Sequence, residues 1–293
     1  MDLNKDGHPD ILSGSYSRRG AGFMAGLFQV LWGTGEGTFK KAEPLKGTDG
    51  EPLILPLEGS QDKNTPRICT RPFAVDWDGD GDLDIVSGNF AGTFFVFLGE
   101  GEGKFAPKAK ILEEADTGKP LRISGVHSDP FVIDFDGDKD LDILSGAGAG
   151  GVQIALNTAG PGKKPTFDGF EELVAAPENR EQGFLRRGEF PAGPGGSTRV
   201  WVSDLDGDGK LDLLLGDKVT LRYPAEGMTA EEVTKKEAAW SKSLSDLMTD
   251  RRAAGGDADA QQEFRQKYHA LREEREKFLT EERTGFVWAY LQK

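Results

Sequence analysis

Four nine-residue segments combine closely spaced carboxylates with glycine, and they are the part of the sequence best suited to chemistry. They begin at Asp2, Asp76, Asp134 and Asp204 and carry oxygen-bearing side chains at positions 1, 3, 5 and 9. Carboxylates this close repel one another unless a cation lies among them, and oxygen ligands suit a hard cation such as Ca²⁺. Position 7 would contribute its backbone carbonyl, which is consistent with the varied residues found there.

The candidate calcium ligands are the residues at positions 1, 3, 5, 7 and 9 of each segment. They are Asp2, Asn4, Asp6, His8, Asp10, Asp76, Asp78, Asp80, Asp82, Asp84, Asp134, Asp136, Asp138, Asp140, Asp142, Asp204, Asp206, Asp208, Lys210 and Asp212. Position 6 is glycine in three segments, which permits a sharp turn, whereas Lys139 takes that place in the third. We expect up to four Ca²⁺ ions, one for each segment.

The segments differ from an EF-hand loop, which needs a bidentate glutamate at position 12 and flanking helices. Here position 12 is serine in three segments and leucine in the fourth, and the flanking residues read as strands. A dockerin loop is excluded on the same grounds. Aspartate at position 9 replaces that glutamate, which leaves a loop short enough to join two strands.

The residues around the acidic segments also repeat, and they indicate short β-strands. Each segment is followed by an apolar pair and a small-residue turn, as in Ile85-Val86-Ser87-Gly88. Short alternating apolar runs punctuated by Gly and Pro are typical of strands. The segments start 74, 58 and 70 residues apart, which suits a unit of four strands with the acidic loop after the first. This pattern predicts an all-β fold, a β-propeller of about four blades.

On these residues the sequence resembles the FG-GAP/VCBS repeat family, the calcium-loop propellers best known from integrin α-subunit heads and secreted bacterial proteins. The segment that starts at Asp76 is most similar to the bacterial form, and the resemblance covers residues 1 to about 223 and the last ten. It implies calcium held as a structural ion. The sequence departs from the family at Lys139, Asn4 and Pro9, and it lacks literal Phe-Gly and Gly-Ala-Pro signatures.

We predict a single propeller domain over residues 1–293 with an inserted helical hairpin. The blades are expected at about 1–56, 57–115, 116–185, and 186–223 plus 285–293. Residues 224–284 are rich in Ala, Glu, Lys and Arg and are predicted to form two antiparallel helices within the last blade. Thr229 and Glu232 form a capping box that begins the first helix, which runs to about Arg252. The second helix is predicted to run to about Thr284.

The sequence starts inside the repeat. Met1 directly precedes the first acidic segment, so the strand that precedes the loop in the other blades is missing there. We therefore expect a strand and a signal peptide upstream of Met1. The four blades would be either a small closed ring or an arc of a larger one.

Composition narrows the range of functions. The 50 acidic residues exceed the 36 basic ones, for a formal net charge of -14, which disfavours nucleic acids and anionic membranes as partners. The single cysteine, Cys69, excludes an intramolecular disulfide. No apolar run approaches the ~18 residues of a transmembrane helix, so we expect no membrane span in this chain.

The predicted function is a non-catalytic, calcium-binding propeller that serves adhesion or binds a protein or glycan ligand. We place it in an extracellular, periplasmic or cell-surface location. Cytosolic free calcium is too low to fill ordinary sites, whereas extracellular modules work at about 10⁻⁴–10⁻³ M.

The alternative is a carbohydrate-active enzyme, a lyase or hydrolase, that uses the mouth of the central channel. Two sets of residues are candidates to line that channel, because they lie seven and five residues before a loop, on the innermost strand. They are Cys69, His127 and Ser197 in the first set and Arg71, Asp129 and Arg199 in the second. Few acid–base groups lie there outside the calcium loops, so the sequence favours the non-catalytic function.

Overall fold

Four antiparallel sheets follow one another along the chain in the computed structural model, which describes residues 1–16, 25–57, 67–177, 185, 188–253, 255 and 257–293. The chain divides into two compact units. The first unit comprises Met1–Glu178, Pro194–Lys218 and Gly285–Lys293, and the second comprises Asn179–Gly193 and Val219–Thr284. The sheets lie mainly in the first unit, and the two helices lie in the second.

Each of the four sheets contributes the strands of one blade. Blade 1 contains β1 (Ile11–Gly14), β2 (Phe28–Leu31) and β3 (Glu43–Pro44). Blade 2 contains β4 (Arg71–Val75), β5 (Asp84–Gly88), β6 (Phe94–Phe97) and β7 (Lys110–Ile111). Blade 3 contains β8 (Asp129–Ile133), β9 (Asp142–Gly146), β10 (Val152–Ala155) and β11 (Glu171–Val174). Blade 4 contains β12 (Gly196–Ser203), β13 (Asp212–Pro224) and β15 (Val287–Tyr290).

The same pairing register recurs in successive blades. Arg71 pairs with Gly88 in blade 2, Asp129 pairs with Gly146 in blade 3, and the corresponding pair recurs in blade 4. β15 pairs with β13 as β6 pairs with β5, so the chain returns to blade 4 after the helices, as predicted. An antiparallel sheet repeated in this way is the blade of a β-propeller, and the predicted fold class is confirmed.

Hydrophobic cores lie between successive blades. Between blades 1 and 2, the rings of Phe28 and Phe97 meet edge to face with centroids 5.6 Å apart. Similar cores include Trp77 between blades 2 and 3, and Leu144 between blades 3 and 4. Because side chains alternate between the two faces of a strand, one blade contributes to the cores on both of its sides. Packing between blades therefore holds the first unit together.

A buried hydroxyl links each of the first three blades to the next. Ser128 of blade 3 accepts a hydrogen bond from the Asn89 N–H at 2.9 Å and donates one to the Thr93 carbonyl at 2.9 Å, both in blade 2. Thr70 and Thr198 make equivalent contacts to blades 1 and 3. We call this contact the interblade latch.

The latch brings two backbones so close that only glycine fits at the end of the preceding blade's second strand. A Cβ atom at Gly88 would lie 2.3 Å from the Ser128 carbonyl oxygen, and one at Gly146 would lie 2.2 Å from the Thr198 carbonyl oxygen. The glycine that ends each of the first three acidic repeats, interpreted from sequence as part of a turn, therefore serves the contact between blades.

The second unit contains the predicted antiparallel helical hairpin. Helix α1 spans Ala230–Ala253 and helix α2 spans Ala258–Glu276. The predicted capping box is present, because the Thr229 N–H donates to the Glu232 carboxylate at 2.8 Å and the Glu232 N–H donates to the Thr229 hydroxyl at 3.2 Å. Neither helix of the described chain is long and apolar enough to cross a membrane.

Helix α2 is shorter than predicted, and a strand follows it. Leu279–Thr284 forms β14, which pairs with the Val219–Pro224 part of β13. On this strand Glu281 lies 2.6 Å from Arg275, and that ion pair holds the pKa of Glu281 below its usual range. The strand is rich in charged residues, as the helix is, so composition alone did not reveal where the helix ends.

Removing one latch hydroxyl should destabilise the first unit. In Ser128→Ala, the buried Asn89 N–H loses its acceptor and the Thr93 carbonyl loses a donor. Leaving a buried polar group without its partner costs about 1–3 kcal/mol. We expect the free energy of unfolding, measured by urea denaturation at fixed calcium concentration, to fall by that amount.

Ser124→Ala is the matched control, because Ser124 is an exposed serine of the same blade connection. Surface substitutions of this kind usually change stability by less than about 0.5 kcal/mol. Equal unfolding curves for the Ser128 and Ser124 variants would contradict a stabilising role for the latch.

Candidate metal centres

The acidic segments form loops that lead into β1, β5, β9 and β13: loop 1 (2–10), loop 2 (76–84), loop 3 (134–142) and loop 4 (204–212). The first aspartate closes the turn. In loop 2 the Asp76 carboxylate accepts the Gly79 N–H at 2.9 Å and the Gly81 N–H at 3.1 Å. In the other loops the first aspartate likewise accepts two backbone N–H groups, one from position 4 or 5 and one from position 6, at 2.7–3.1 Å.

The aspartate at position 9 anchors each loop to its blade. In loop 2 Asp84 is 1% exposed, and its two oxygens accept the Trp77 N–H at 2.6 Å and the Gly99 N–H at 2.5 Å. The position-9 aspartates of the other loops make the same two bonds, one within the loop and one to the chain just after β2, β10 or β15. This side chain therefore couples the loop to the strands of the blade.

Positions 1, 3 and 9 bring three carboxylates together in loops 2, 3 and 4. The groups are Asp76, Asp78 and Asp84; Asp134, Asp136 and Asp142; and Asp204, Asp206 and Asp212. Within each group one oxygen of every residue lies within 4.8 Å of the others. Negative charges at this separation repel one another, and an all-oxygen donor set fits a hard divalent cation better than metals that prefer Cys or His.

Burial increases the electrostatic strain in two of these groups. It raises the pKa of Asp84 and of Asp142, against the effect of their backbone N–H donors. The neighbouring carboxylates Asp78 and Asp136 raise these pKa values further. A cation bound among the carboxylates would relieve both effects.

The carboxylates at position 5 lie outside these groups of three. They are Asp6, Asp80, Asp138 and Asp208. Each accepts the backbone N–H of position 7 at 2.8–3.0 Å, which closes a second small turn. Their predicted role as calcium ligands stays a prediction.

The side chains at position 7 are engaged with neighbouring residues. Asp82 lies 2.6 Å from the Lys5 ammonium of loop 1, a contact between residues too far apart in sequence to be predicted. Asp140 accepts the Gly160 N–H at 2.7 Å. The other two, His8 and Lys210, approach Gly35 and Asp208 respectively. The ligand predicted at this position is the backbone carbonyl, and it also stays a prediction.

Loop 1 is the least acidic of the four. In the described residues it contains no group of three convergent acids, because Asn4 stands at position 3. The Asn4 amide oxygen accepts the Asp6 N–H at 3.1 Å, so the turn still forms. With one carboxylate fewer, loop 1 is expected to bind a cation more weakly than the others.

Lys139 adopts the backbone conformation of the glycines it replaces. Its φ is +75°, compared with +87° for Gly7, +91° for Gly81 and +87° for Gly209. The Lys139 N–H donates to Asp134 at 3.1 Å, so the turn of loop 3 is complete. Left-handed backbone is strained for a residue with a Cβ atom. Loop 3 therefore keeps its geometry but stores strain.

An ion triad joins three blades at residues predicted to line a channel. Arg71 of blade 2 and Arg199 of blade 4 contact the Asp129 carboxylate of blade 3 at 3.3 and 3.1 Å. Burial raises the pKa of Asp129 to about 6, and Arg71 opposes that shift. Arg71 and Arg199 thus both form ion pairs with Asp129.

The other predicted channel residues share a left-handed backbone. Cys69, His127 and Ser197 have φ of +56°, +65° and +55°, and each directly precedes a latch residue. Cys69 is buried, which raises the pKa of its thiol. Burial lowers the pKa of His127, whose ring packs against Phe90 at 4.4 Å. Sequence reasoning missed this turn, because the three residues share no chemical type.

The stretch that contains the three carboxylate groups also matches a known repeat family. A family model described as an FG-GAP-like repeat matches residues 76–145 and again residues 134–215. No curated protein matches the chain. Among solved structures, the chain is similar to an Agrocybe aegerita lectin described as recognising non-reducing terminal N-acetylglucosamine. The two are 20% identical with a TM-score of 0.32, and the match covers 73% of this chain and 58% of the lectin chain.

Replacing Lys139 by glycine should stabilise the protein. The left-handed conformation costs a residue with a Cβ atom about 1–2 kcal/mol, and glycine avoids that penalty. Glycine also gives the unfolded chain more freedom, which offsets about 0.4–1 kcal/mol of the gain. We therefore expect Lys139→Gly to increase the free energy of unfolding by roughly 0.5–1 kcal/mol in a denaturant titration.

The comparison variant is Lys119→Gly, an exposed lysine that is not among the residues with positive φ. There glycine brings only its entropic penalty, so stability should fall. If both variants lose stability to the same extent, the strain at Lys139 is not real.

Proposed function

Because residues 76–215 place this chain in the FG-GAP-like repeat family, we propose that it is a non-catalytic, calcium-binding β-propeller. On this proposal the protein works outside the cytoplasm, either in adhesion or in binding a protein or glycan ligand. The observation that carries the calcium proposal is the convergence of three aspartates in each of loops 2, 3 and 4.

Calcium suits these loops better than magnesium. Ca²⁺ accepts six to eight oxygen ligands in flexible geometry, whereas Mg²⁺ requires a near-ideal octahedron and usually keeps several waters. Each of loops 2, 3 and 4 supplies three convergent carboxylates, and a fourth carboxylate and a backbone carbonyl belong to the same nine residues. This abundance of oxygen donors supports calcium.

The connections of the position-9 aspartate support a structural role for the ion. Asp84 is one of the three convergent carboxylates of loop 2, and it also accepts hydrogen bonds from the Trp77 and Gly99 N–H groups. Bound calcium would neutralise the carboxylates, while Asp84 connects them to the core residue Trp77 and to the chain after β6. The loop would thus stabilise its blade.

The groups outside the loops support a non-catalytic role. Asp129 is paired with Arg71 and Arg199, and Cys69 is buried with a raised pKa, which disfavours the nucleophilic thiolate. The proposed location follows from the calcium concentration, since extracellular sites of about 10⁻⁴–10⁻³ M affinity are filled outside the cytoplasm and not within it.

Calcium removal should destabilise the protein, and Asp78 is the best residue at which to test one site. Ligand at a hundredfold excess over its Kd stabilises the folded state by about 2.7 kcal/mol per site. We expect a chelator to lower the Tm of the wild type. We expect Asp78→Asn to reduce the calcium stoichiometry in calorimetric titration by one and to lower the Tm in calcium.

Asp78 is preferred because Asp76 and Asp84 also hold backbone N–H groups, so their replacement would disturb the loop itself. Asp116→Asn, an exposed acid outside the loops, is the control and should behave as the wild type. A Tm that is the same with calcium and with chelator would refute the calcium proposal.

A carbohydrate-active enzyme remains the second candidate, and it would use His127, Asp129 and Arg199. If the protein is non-catalytic, His127→Ala and Arg199→Ala should bind glycans as the wild type does. Neither substitution should lower the rate of polysaccharide cleavage, because the wild type has no such activity to lose. The assay is wild-type and variant protein with a panel of polysaccharides, scored for bound glycan and for released reducing ends. Cleavage by the wild type that either variant abolishes would favour the enzyme.

A further inference from the structure

The two sides of each blade take different neighbours. We call the side that packs against the next blade along the chain the trailing face, and the opposite side the leading face. The core between blades 1 and 2 thus joins the trailing face of blade 1, with Leu3 and Phe28, to the leading face of blade 2, with Ile85 and Phe97. The same arrangement recurs between blades 2 and 3 and between blades 3 and 4.

The trailing face of blade 4 is exposed. Val287 pairs with Gly216 as Phe94 pairs with Gly88, yet Val287 is 75% exposed and Phe94 is fully buried. Trp201 corresponds to Phe131 of blade 3, and the two are 58% and 7% exposed.

Two further positions on the trailing face of blade 4 are also uncovered. Leu205, at position 2 of loop 4, is 40% exposed, whereas Trp77 at that position in loop 2 is 7% exposed. A Cβ atom at Gly216 would meet nothing nearer than the Arg199 Cβ at 3.9 Å, unlike the crowded Gly88 and Gly146. Blade 4 therefore keeps the residues of an interblade contact on a face that the described residues leave open.

The leading face of blade 1 is exposed in the same way. Ile11 corresponds to Ile85, Ile143 and Leu213, which follow the other three loops at the same position. Those three are 0–6% exposed and lie in interblade cores, whereas Ile11 is 44% exposed. The chain thus carries one uncovered face of each kind.

We propose that two copies of this chain associate head to tail, with the trailing face of blade 4 of each copy packed on the leading face of blade 1 of the other. The surface is continuous with an established type of contact, because trailing and leading faces of this pattern already pack together three times within the chain. Two such contacts would give eight blades, within the range of known propellers. Contacts that close into a ring limit the assembly to two copies.

Unlike the contacts between blades, this contact joins separate molecules, so the association should depend on protein concentration.

Sedimentation velocity of the full chain in calcium, over a hundredfold range of concentration, tests the proposal. We expect a particle of twice the chain mass at high concentration. Val287→Glu and Ile11→Lys should each weaken the association at least tenfold, because each places a charge in the apolar contact. Leu173→Glu, the same kind of change at an exposed position on the outer strand of blade 3, should leave it unchanged.

Mixing the two weakened variants distinguishes this arrangement from a face-to-face dimer. A head-to-tail pair of Val287→Glu with Ile11→Lys has one unaltered contact, and its other contact sets a carboxylate against an ammonium. The mixture should therefore dimerise at concentrations at which neither variant does so alone. Thermal melts that match the wild type confirm that both variants are folded. A wild type that stays monomeric throughout, or a mixture that stays monomeric, would overturn the proposal.

Discussion

The hydrogen bonds of one buried aspartate, at position 9 of each loop, are the constraint on which the blade depends. Asp84 has almost no exposed surface, so its oxygens must find donors within the protein. It takes one from Trp77, inside the loop, and one from Gly99, beyond β6. Trp77 in turn packs in the core between blades 2 and 3. The carboxylate thus connects the acidic loop, its own blade and the next blade through a single side chain.

The contact between blades imposes a second set of residue choices. The latch hydroxyl of Ser128 reaches Asn89 and Thr93, and this brings its backbone against Gly88. His127, just before it, takes a left-handed conformation. The glycine, the hydroxyl and the left-handed turn therefore recur together because they are parts of one contact. The sequence repeat thus reflects the contacts between blades as well as the strands within each blade.

The loops and the blades could be predicted from sequence because their residues are local and similar in each copy. The Asp76–Asp84 pattern and its flanking strands are visible in a single blade, and repetition made them certain. The latch could not be predicted, because Ser128 and Asn89 are 39 residues apart and such residues are common on any surface. The end of α2 was misplaced for a different reason: Glu281 and its neighbours suit a helix by composition, and only pairing with β13 makes them a strand.

Part of the negative charge of the chain is concentrated in the loops, where it bears on stability. Three groups of three aspartates account for nine of the 50 acidic residues, and each group includes a buried member that the blade needs. Three divalent ions would bring the formal charge to -8 and would remove repulsion where water screens it least. Because Asp84, Asp142 and Asp212 serve both the charge group and the strands, neutralising the loops and holding the blades together are one physical event. The acidity of these loops is thus inseparable from the architecture of the blades.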